Sequence, residues 1–211
     1  MGYLTSMKAL IEHYEHIRYH GHKNRPKWRG KEVDKFPQDL VLYAQLIFKR
    51  KPDFIIETGT AYGGSALFFG DMLLLSGGSR VFSVDVNARN SPPHPFVTYI
   101  KGSSVDEEIL KHLRNETKDG SVMATFDSDH SKEHVLKELN AYADIVSSGQ
   151  YIVVEDCYTG PSAKESAKGR PEYHPYFAVE EFLKANGRFR KIDVEKQFIF
   201  AATKGGWLRK R

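Results

Sequence analysis

The segment that most constrains the fold is Phe54–Ser65, with the sequence FIIETGTAYGGS. Its first three residues are apolar, too few for a helix, and they match a short strand that is buried on both faces, as in a parallel sheet. An acid, Glu57, ends the strand, and a turn with three glycines follows. The next apolar run, from Ser65 to Leu75, stops at two glycines, as helices commonly do. The segment therefore predicts a strand, a turn and a helix, the unit at which open α/β sheets bind nucleotides.

The order of the acid and the glycines limits the class of ligand that this turn can bind. Glycines permit positive φ and let a ligand approach the main chain closely, and the helix start offers unpaired N–H groups. An acid at the strand end can hold a ligand ammonium or hydroxyl. Because this acid precedes the first glycine, the pattern differs from the dinucleotide fingerprint GxGxxG. It suits a nucleoside that carries an amino acid, such as S-adenosylmethionine (SAM). The alternative is a turn whose glycines serve only close packing.

The composition fits one domain with a full core, since 40% of the 211 residues are apolar and 12% are aromatic. The net charge of +4 is mild, and much of the excess lies in the C-terminal tail. Such a tail can touch nucleic acid, although a solvated basic end is the simpler interpretation. A single cysteine, Cys157, fits a reducing compartment. Because no apolar run approaches a membrane span, we expect a cytoplasmic protein with no membrane contact.

Helices are predicted before the glycine turn. Apolar residues recur at helical spacing over residues 4–20. A second helix is expected to start at Pro37 and to end at the basic residues 49–51. Residues 1–50 are therefore predicted as a helical extension that covers the substrate or joins subunits in a homo-oligomer. Residues 51–211 are predicted as the main domain.

The second and third strands also lead into polar residues. A strand from Val81 ends at Asp85, and an acid in that place can accept hydrogen bonds from both ribose hydroxyls. The alternative for Asp85 is a helix cap or a turn. The third strand, over residues 96–100, leads into a turn at the same sheet edge. Ser103 and Asp106 in that turn are expected to border the adenine.

Acids follow the fourth and fifth predicted strands, over residues 122–126 and 151–154. Asp127 follows the fourth strand, and Glu155 and Asp156 follow the fifth. Because ligands bind beyond the carboxyl ends of parallel strands, these acids are expected to form an oxygen cluster of the kind that Mg²⁺ prefers. The alternative is that single acids cap helices or pair with lysines.

The C-terminal part is predicted as a loop, a helix and a hairpin. Residues 157–176 have no regular pattern, and a long irregular segment next to candidate metal acids is typical of a functional lid. A helix is predicted over residues 179–185. Strands at about residues 189–194 and 198–203 are then expected to form an antiparallel hairpin at the sheet edge. The predicted fold class is thus α/β, with a Rossmann-like sheet.

Taken together, the motifs resemble the cephalosporin hydroxylase family, which includes rhamnosyl O-methyltransferases and has the class I SAM-dependent methyltransferase fold. The matching segments are WRG at 28–30, KFPQD at 35–39, KPD at 51–53, the turn at 57–65, KGSS at 101–104, DSDH at 127–130, HVL at 134–136 and VVED at 153–156. The likeness covers about residues 28–157, and the C-terminal third matches in layout only. It implies a seven-stranded, mostly parallel sheet with helices on both faces and an antiparallel C-terminal hairpin, so that residues 51–211 form the methyltransferase domain.

The resemblance also implies the site residues. The cofactor-binding residues would be Glu57, Gly59, Thr60, Gly63, Gly64, Ser65, Asp85, Ser103 and Asp106, and the Mg²⁺ ligands would be Asp127, Glu155 and Asp156. In similar catechol-type and caffeoyl-CoA-type families, a basic residue three positions after the first metal acid is the general base, often a lysine. His130 stands at that position, and a histidine can accept a proton near neutral pH. The alternative is that His130 packs against or caps the following helix.

These inferences predict a SAM- and Mg²⁺-dependent O-methyltransferase that acts on a hydroxyl of a small molecule, either a sugar or a natural product. Its catalytic residues would be His130 and Asp127. One alternative is a hydroxylase or oxygenase component of natural-product biosynthesis, although non-haem iron usually takes two histidines and one carboxylate. Another is a non-catalytic nucleotide-binding module that acts on nucleic acid, for which the sequence has no recognisable motif.

Overall fold

The computed structural model describes Ala9 and residues 25–87, 91–157, 174–194, 198 and 201–211. Apart from Ala9, the helix predicted over residues 4–20 lies outside these ranges. So does most of the lid predicted over residues 157–176. The first described strands, β1 (Lys27–Trp28) and β2 (Lys31–Glu32), form a short antiparallel hairpin.

The main sheet has seven strands, as predicted. In chain order they are β3 (Phe54–Thr58), β4 (Arg80–Asp85), β5 (Val97–Lys101), β6 (Val122–Phe126), β7 (Tyr151–Val154), β8 (Phe189–Lys191) and β9 (Trp207–Lys210). They lie in the order β5-β4-β3-β6-β7-β9-β8. Strands β3 to β7 pair in parallel, and β9 runs antiparallel to both of its neighbours. The chain order changes direction at β3, which places the ligand-binding crevice beside that strand.

Helices cover both faces of the sheet, which confirms the predicted α/β architecture. They are α1 (Pro37–Arg50), α2 (Gly64–Ser76), α3 (Glu107–Glu116), α4 (Lys132–Tyr142) and α5 (Pro175–Ala185). Helices α1 and α2 share one hydrophobic cluster, and α3, α4 and α5 share the other. The described part of the predicted N-terminal extension thus packs directly on the sheet. In the described segments, no helix has the length and apolarity needed to cross a membrane.

Helix α2 is apolar on all sides because it is buried from Gly64 to Leu73, whereas Leu74 and Leu75 near its end are exposed. One side faces the sheet, and the β1–β2 hairpin lies against another side. The Trp28 ring meets the Phe68 ring edge to face, with the ring centroids 5.1 Å apart. A Cβ atom at Gly64 would lie 2.2 Å from the carbonyl oxygen of Glu32. Only glycine therefore allows the helix to start this close to the hairpin.

One carboxylate, Asp71 in α2, fastens the hairpin to the domain. Its oxygens accept hydrogen bonds from Trp28 Nε1 at 2.8 Å, from Arg29 Nε and Nη2 at 2.8 and 2.6 Å, and from His94 Nε2 at 3.1 Å. Burial would raise the pKa of Asp71, but its bonds to Arg29, Trp28 and His94 lower that pKa overall. Arg29 and Trp28 belong to the WRG motif, so this part of the resemblance maintains the packing of the hairpin.

The predicted bounds of the C-terminal hairpin are wrong, although its antiparallel pairing is confirmed. The second strand is β9, whereas the described residues of the segment predicted at 198–203 are bends, turns or irregular. Two buried bonds hold part of that segment in place: Ala202 N and Thr203 Oγ1 donate to the Asp39 carboxylate at 3.0 and 2.7 Å. The apolar residues are therefore buried by a turn that packs on α1, and Trp207, which is fully buried, starts the strand.

The basic C-terminal tail is part of the sheet. Arg209 and Lys210 lie in β9, between β7 and β8. Lys210 Nζ donates to the carbonyl oxygens of Ala143 and Val146 at 2.8 and 2.7 Å. These cations serve the fold, so the simpler sequence interpretation of a solvated tail is wrong for them. The nucleic-acid alternative loses its main support for the same reason.

The Asp71 contacts predict a large loss of stability in Asp71→Ala. The variant leaves Trp28, Arg29 and His94 without their acceptor, so we expect the free energy of unfolding to fall by about 2–3 kcal/mol. Urea unfolding monitored by circular dichroism measures the change. The control is Asp119→Ala at an exposed position, which should stay within about 0.5 kcal/mol of wild type. Equal stability of the two variants would contradict the role of Asp71.

Candidate active site

The carboxyl ends of β3, β4, β5 and β6 surround a cavity of about 420 Å³. Of the residues predicted to bind SAM, Gly59, Asp85 and Ser103 line it. Asp127, the first predicted metal ligand, also lines it. The structure therefore brings the two predicted sites together at one edge of the sheet, as expected for an open α/β fold.

Gly59 brings the glycine turn against the end of β6. Its φ is +87°, and a Cβ atom there would lie 2.0 Å from the carbonyl oxygen of Asp127. Asp127 N in turn donates to Thr58 O at 2.9 Å. A side chain at position 59 would push the two loops apart, so this glycine sets the position of Asp127 relative to the cavity.

Asp85 shapes the other side of the turn. Its carboxylate accepts hydrogen bonds from the backbone of Thr60, Ala61 and Asn87 at 2.8, 3.2 and 2.7 Å. An ionised carboxylate has about four acceptor positions. Asp85 therefore holds the turn and retains capacity to accept a bond from a ligand hydroxyl. Thr60 is buried and contributes its N–H group to this contact.

Glu57 is buried behind the turn and has a spare oxygen. Its Oε2 accepts a hydrogen bond from Ser83 Oγ at 2.7 Å. Its Oε1 is buried and makes no hydrogen bond within the described part of the chain. Burial raises the pKa of Glu57 to about 7, although the Lys35 ammonium opposes the shift. An oxygen of this kind suits the ammonium group of an amino-acid ligand, because a buried acceptor without a partner is costly.

The remaining predicted SAM contacts do not line the cavity. Gly63 is the N-cap of α2, and Gly64 and Ser65 are buried in its first turn. Asp106 caps α3, where its carboxylate accepts hydrogen bonds from Glu108 N and Ile109 N at 3.0 and 3.2 Å. The structure thus gives Asp106 a role in holding a helix end, which the sequence could not separate from contact with the adenine.

A group with the spacing of metal ligands lies at Asp127, His130 and Asp156, whose ligand atoms are all within 4.8 Å of one another. His130 Nε2 lies 3.4 Å from Asp127 Oδ1, and His130 Nδ1 lies 3.1 Å from Asp156 Oδ2. Asp156 has a φ of +51°, an unusual backbone conformation for a residue with a side chain. Such conformations persist where the surroundings enforce them, and they are concentrated at functional sites.

Lys35 is a residue of the candidate site that was not predicted from the sequence. Its Nζ donates to Asp127 Oδ2 at 2.7 Å and to Glu155 Oε1 at 2.9 Å, and its side chain is 1% exposed. Tyr43 OH donates to the same oxygen of Glu155. Glu155 is therefore paired with a lysine, the alternative that the sequence left open for single acids. The available sequence signal was that Lys35 opens the KFPQD motif, but no local pattern places a residue there against acids 92 and 120 positions away.

The charges of this cluster depend on one another. Burial would lower the pKa of Lys35, but Asp127 and Glu155 outweigh that effect and raise it, so Lys35 is charged. Burial would raise the pKa of Asp127, but Lys35 and His130 lower it overall. Burial would lower the pKa of His130, but its bonds to Asp127 and Asp156 raise it to about 11. In this arrangement His130 is protonated near neutral pH and cannot accept a proton.

The strand order β5-β4-β3-β6-β7-β9-β8, with a glycine turn after β3 and the acid Asp85 at the end of β4, defines a class I methyltransferase fold. The family model described as Rhamnosyl O-methyltransferase/CmcI matches residues 20–211. The chain therefore belongs to the rhamnosyl O-methyltransferase/CmcI family, which confirms the resemblance and the predicted enzyme class, a SAM-dependent O-methyltransferase.

Curated relatives agree with the family. The chain is 32% identical over 216 residues to the rhamnosyl O-methyltransferase of Mycobacterium leprae, an alignment that covers 96% of this chain and 91% of that protein. It is 30% identical over 210 residues to the enzyme of the same name from Mycobacterium bovis, covering 92% and 82% of the two chains.

Solved structures share the fold. CmcI with Mg and SAM has a TM-score of 0.67 at 22% identity and covers 88% of this chain and 76% of its own. The MycE methyltransferase of the mycinamycin pathway, in complex with Mg and S-adenosylhomocysteine (SAH), has a TM-score of 0.52 at 16% identity and covers 68% and 42%. Mg and SAM are the cofactors that the sequence predicted.

The buried ion pairs of Lys35 predict a strong effect of Lys35→Met on stability. The variant leaves the buried Glu155 and Asp127 without their cation, so we expect a loss of about 3–5 kcal/mol in the free energy of unfolding, measured by urea titration in EDTA. The double variant Lys35→Met/Glu155→Gln removes both charges of one pair and should regain part of that loss, since Asp127 still lacks its lysine. If the single variant is as stable as wild type, the ion pairs do not hold this part of the fold.

Proposed function

We propose that the protein transfers a methyl group from SAM to a hydroxyl of a sugar or of a glycosylated natural product, in a Mg²⁺-dependent reaction. The observation that carries this proposal is the position of Asp127, which lines the cavity and also belongs to the group with metal-ligand spacing. A methyl donor in the cavity and a hydroxyl beside the acids would therefore meet. The names of the relatives, rhamnosyl O-methyltransferases, favour a sugar hydroxyl. A similar structure, MycE with mycinamycin VI, favours a hydroxylated natural product.

The residues present fit the cofactor. Asp85 would accept hydrogen bonds from the ribose, and Gly59 would let the ligand approach the backbone closely. The unpartnered Oε1 of Glu57 would take the ammonium group of SAM. Gly63, Gly64, Ser65 and Asp106 would act by holding the helix ends around the cavity. The main contribution of these residues is orientation, because a methyl transfer needs donor and acceptor in line.

The acids also fit a hard divalent cation. Asp127 and Asp156 supply the carboxylate oxygens that Mg²⁺ prefers, and His130 lies between them. When bound there, the cation would lower the pKa of a substrate hydroxyl. We assign Glu155 to Lys35 rather than to the metal, because Lys35 and Tyr43 already share its Oε1 and because Glu155 is not in the group with metal-ligand spacing.

His130 would accept the proton of the hydroxyl only when the charges of its two aspartates are compensated. Those aspartates hold its pKa at about 11, so a positive charge beside them would lower that pKa toward the neutral range.

The set of metal-ligating side chains also bears on the oxygenase alternative. With His130 as the proton acceptor, the metal ligands of this group are the two carboxylates of Asp127 and Asp156. They differ from the two histidines and one carboxylate typical of non-haem iron, which favours methyl transfer.

The raised pKa of Glu57 predicts that SAM binding releases protons. With a pKa of about 7, this carboxyl is about half protonated at pH 7 in the free protein. A bound ammonium favours the ionised form and lowers the pKa, so up to about half a proton is released. Calorimetric titration in buffers of different ionisation enthalpy measures that release. Glu57→Gln should bind more weakly and lack this release; a release equal to that of wild type would contradict the assignment.

Metal binding is tested by Asp127→Asn and Asp156→Asn. Each removes a carboxylate charge from the group, so we expect Mg²⁺-dependent methylation of a sugar acceptor to fall at least about 100-fold. SAH binding should change only a few-fold, as calorimetry would show. The matched control is Asp144→Asn, whose partner is the exposed Arg188. Full metal-dependent activity in both variants would exclude the assigned ligands.

A further inference from the structure

We propose that His134 is a specificity-determining residue that recognises the edge of the nucleobase of the cofactor. The proposal rests on the proposed function, since it concerns the same cavity. His134 opens the HVL segment of the resemblance, but its position in the sequence alone indicates no role. Its place in the structure comes from α4, which brings it to the cavity wall beside the loop that follows β5.

A hydrogen-bond network centred on Glu138 forms this wall. Glu138 is fully buried, whereas Ser104, Ser128 and His134 line the cavity. Ser104 Oγ and Ser128 Oγ both donate to Glu138 Oε1, at 2.6 and 2.8 Å. His134 Nε2 lies 3.1 Å from Ser104 Oγ and 3.5 Å from Glu138 Oε1. A buried carboxylate thus fixes three cavity-lining side chains at once.

The network determines which nitrogen of His134 carries the proton. A serine hydroxyl has one proton, and that of Ser104 goes to Glu138. At the contact between Ser104 Oγ and His134 Nε2, the histidine must therefore be the donor. The neutral imidazole is then the Nε2–H tautomer, and Nδ1 is an acceptor. Within the described residues, no hydrogen bond of Nδ1 accounts for that lone pair.

An acceptor in this wall matches adenine. The exocyclic amino group of adenine is a donor, and hypoxanthine has a carbonyl oxygen at the same position, which would face the Nδ1 lone pair. Val86, which is 62% exposed, lines the same cavity and offers an apolar surface for a flat ring. Ser103 and Ser104 border it as well. His134 would thus select for an amino group on the base and against a carbonyl.

Glu138 is a positioning residue, because it would act on the base only through the side chains of Ser104, Ser128 and His134. Its second oxygen, Oε2, is buried with no hydrogen-bond partner in the part of the chain that the structure describes. An orphaned carboxylate oxygen destabilises a fold, so its presence argues that the network it builds has a use. Glu138→Gln keeps the shape of the side chain and tests whether the carboxylate is needed to fix the two serines.

The test compares the binding of SAH and S-inosylhomocysteine by calorimetry. Because bonding to Glu138 raises the pKa of His134, the titrations are made at an alkaline pH at which the nitrogen chemical shifts of His134 show a neutral imidazole. We expect wild type to favour SAH by about tenfold or more, and His134→Ala to reduce that ratio at least about threefold. Lys137→Ala, an exposed position on the same helix, is the control and should keep the wild-type ratio. An unchanged ratio in His134→Ala overturns the proposal.

A second measurement does not depend on a variant. The nitrogen chemical shifts of His134 in the wild-type protein should show the Nε2–H tautomer, and a proton on Nδ1 in the neutral ring would contradict the proposal.

The proposed SAM-dependent function and the proposed role of His134 are contradicted by different results. If wild type binds neither nucleoside, the SAM function itself is wrong. If it binds SAH and S-inosylhomocysteine equally well, only the role of His134 is wrong.

Discussion

The rest of the site depends on the contact of one buried ammonium, that of Lys35, with the carboxylates of Asp127 and Glu155. Acids at the ends of neighbouring parallel strands repel one another, and burial makes each charge costly. The lysine resolves this conflict by placing a cation between β6 and β7. It also leaves the second oxygen of Asp127 directed at His130, so the same aspartate joins a structural ion pair to the candidate metal group.

The position of Lys35 is fixed by parts of the chain that carry no chemistry. It lies between the β1–β2 hairpin and α1, and the hairpin is fastened to α2 by Asp71. Asp39, in the first turn of α1, is in turn bonded to the C-terminal turn at Ala202 and Thr203. The WRG and KFPQD motifs thus share a purpose: they hold a cation at the carboxyl edge of the sheet. Residues 25–50 are in this sense part of the site and of the domain core.

Much of the fold and part of the site could be predicted from the sequence. The five parallel strands are marked by short apolar runs that end in polar residues. The turn after β3 can be recognised by its glycines, and Gly59 is required there because the fold leaves no room for a side chain. The cavity residues Gly59, Asp85 and Ser103 were found because they follow strands, and strand ends meet at one edge. The bounds of β9 were missed because an apolar turn and an apolar strand have the same composition.

The sequence by itself determined the α/β class, the family and the set of acids at the carboxyl edge, because strand periodicity and glycine position are local properties. Only the tertiary structure decided how those acids are used. Asp106 caps a helix, Glu155 pairs with Lys35, and His130 bridges two aspartates that hold its pKa high. The cavity wall is another such case, because Glu138 brings Ser104, Ser128 and His134 together only in the folded chain. The physical reason is that hydrogen bonding and charge depend on neighbours in space, which lie 120 residues apart for Lys35 and Glu155 and 164 residues apart for Asp39 and Thr203.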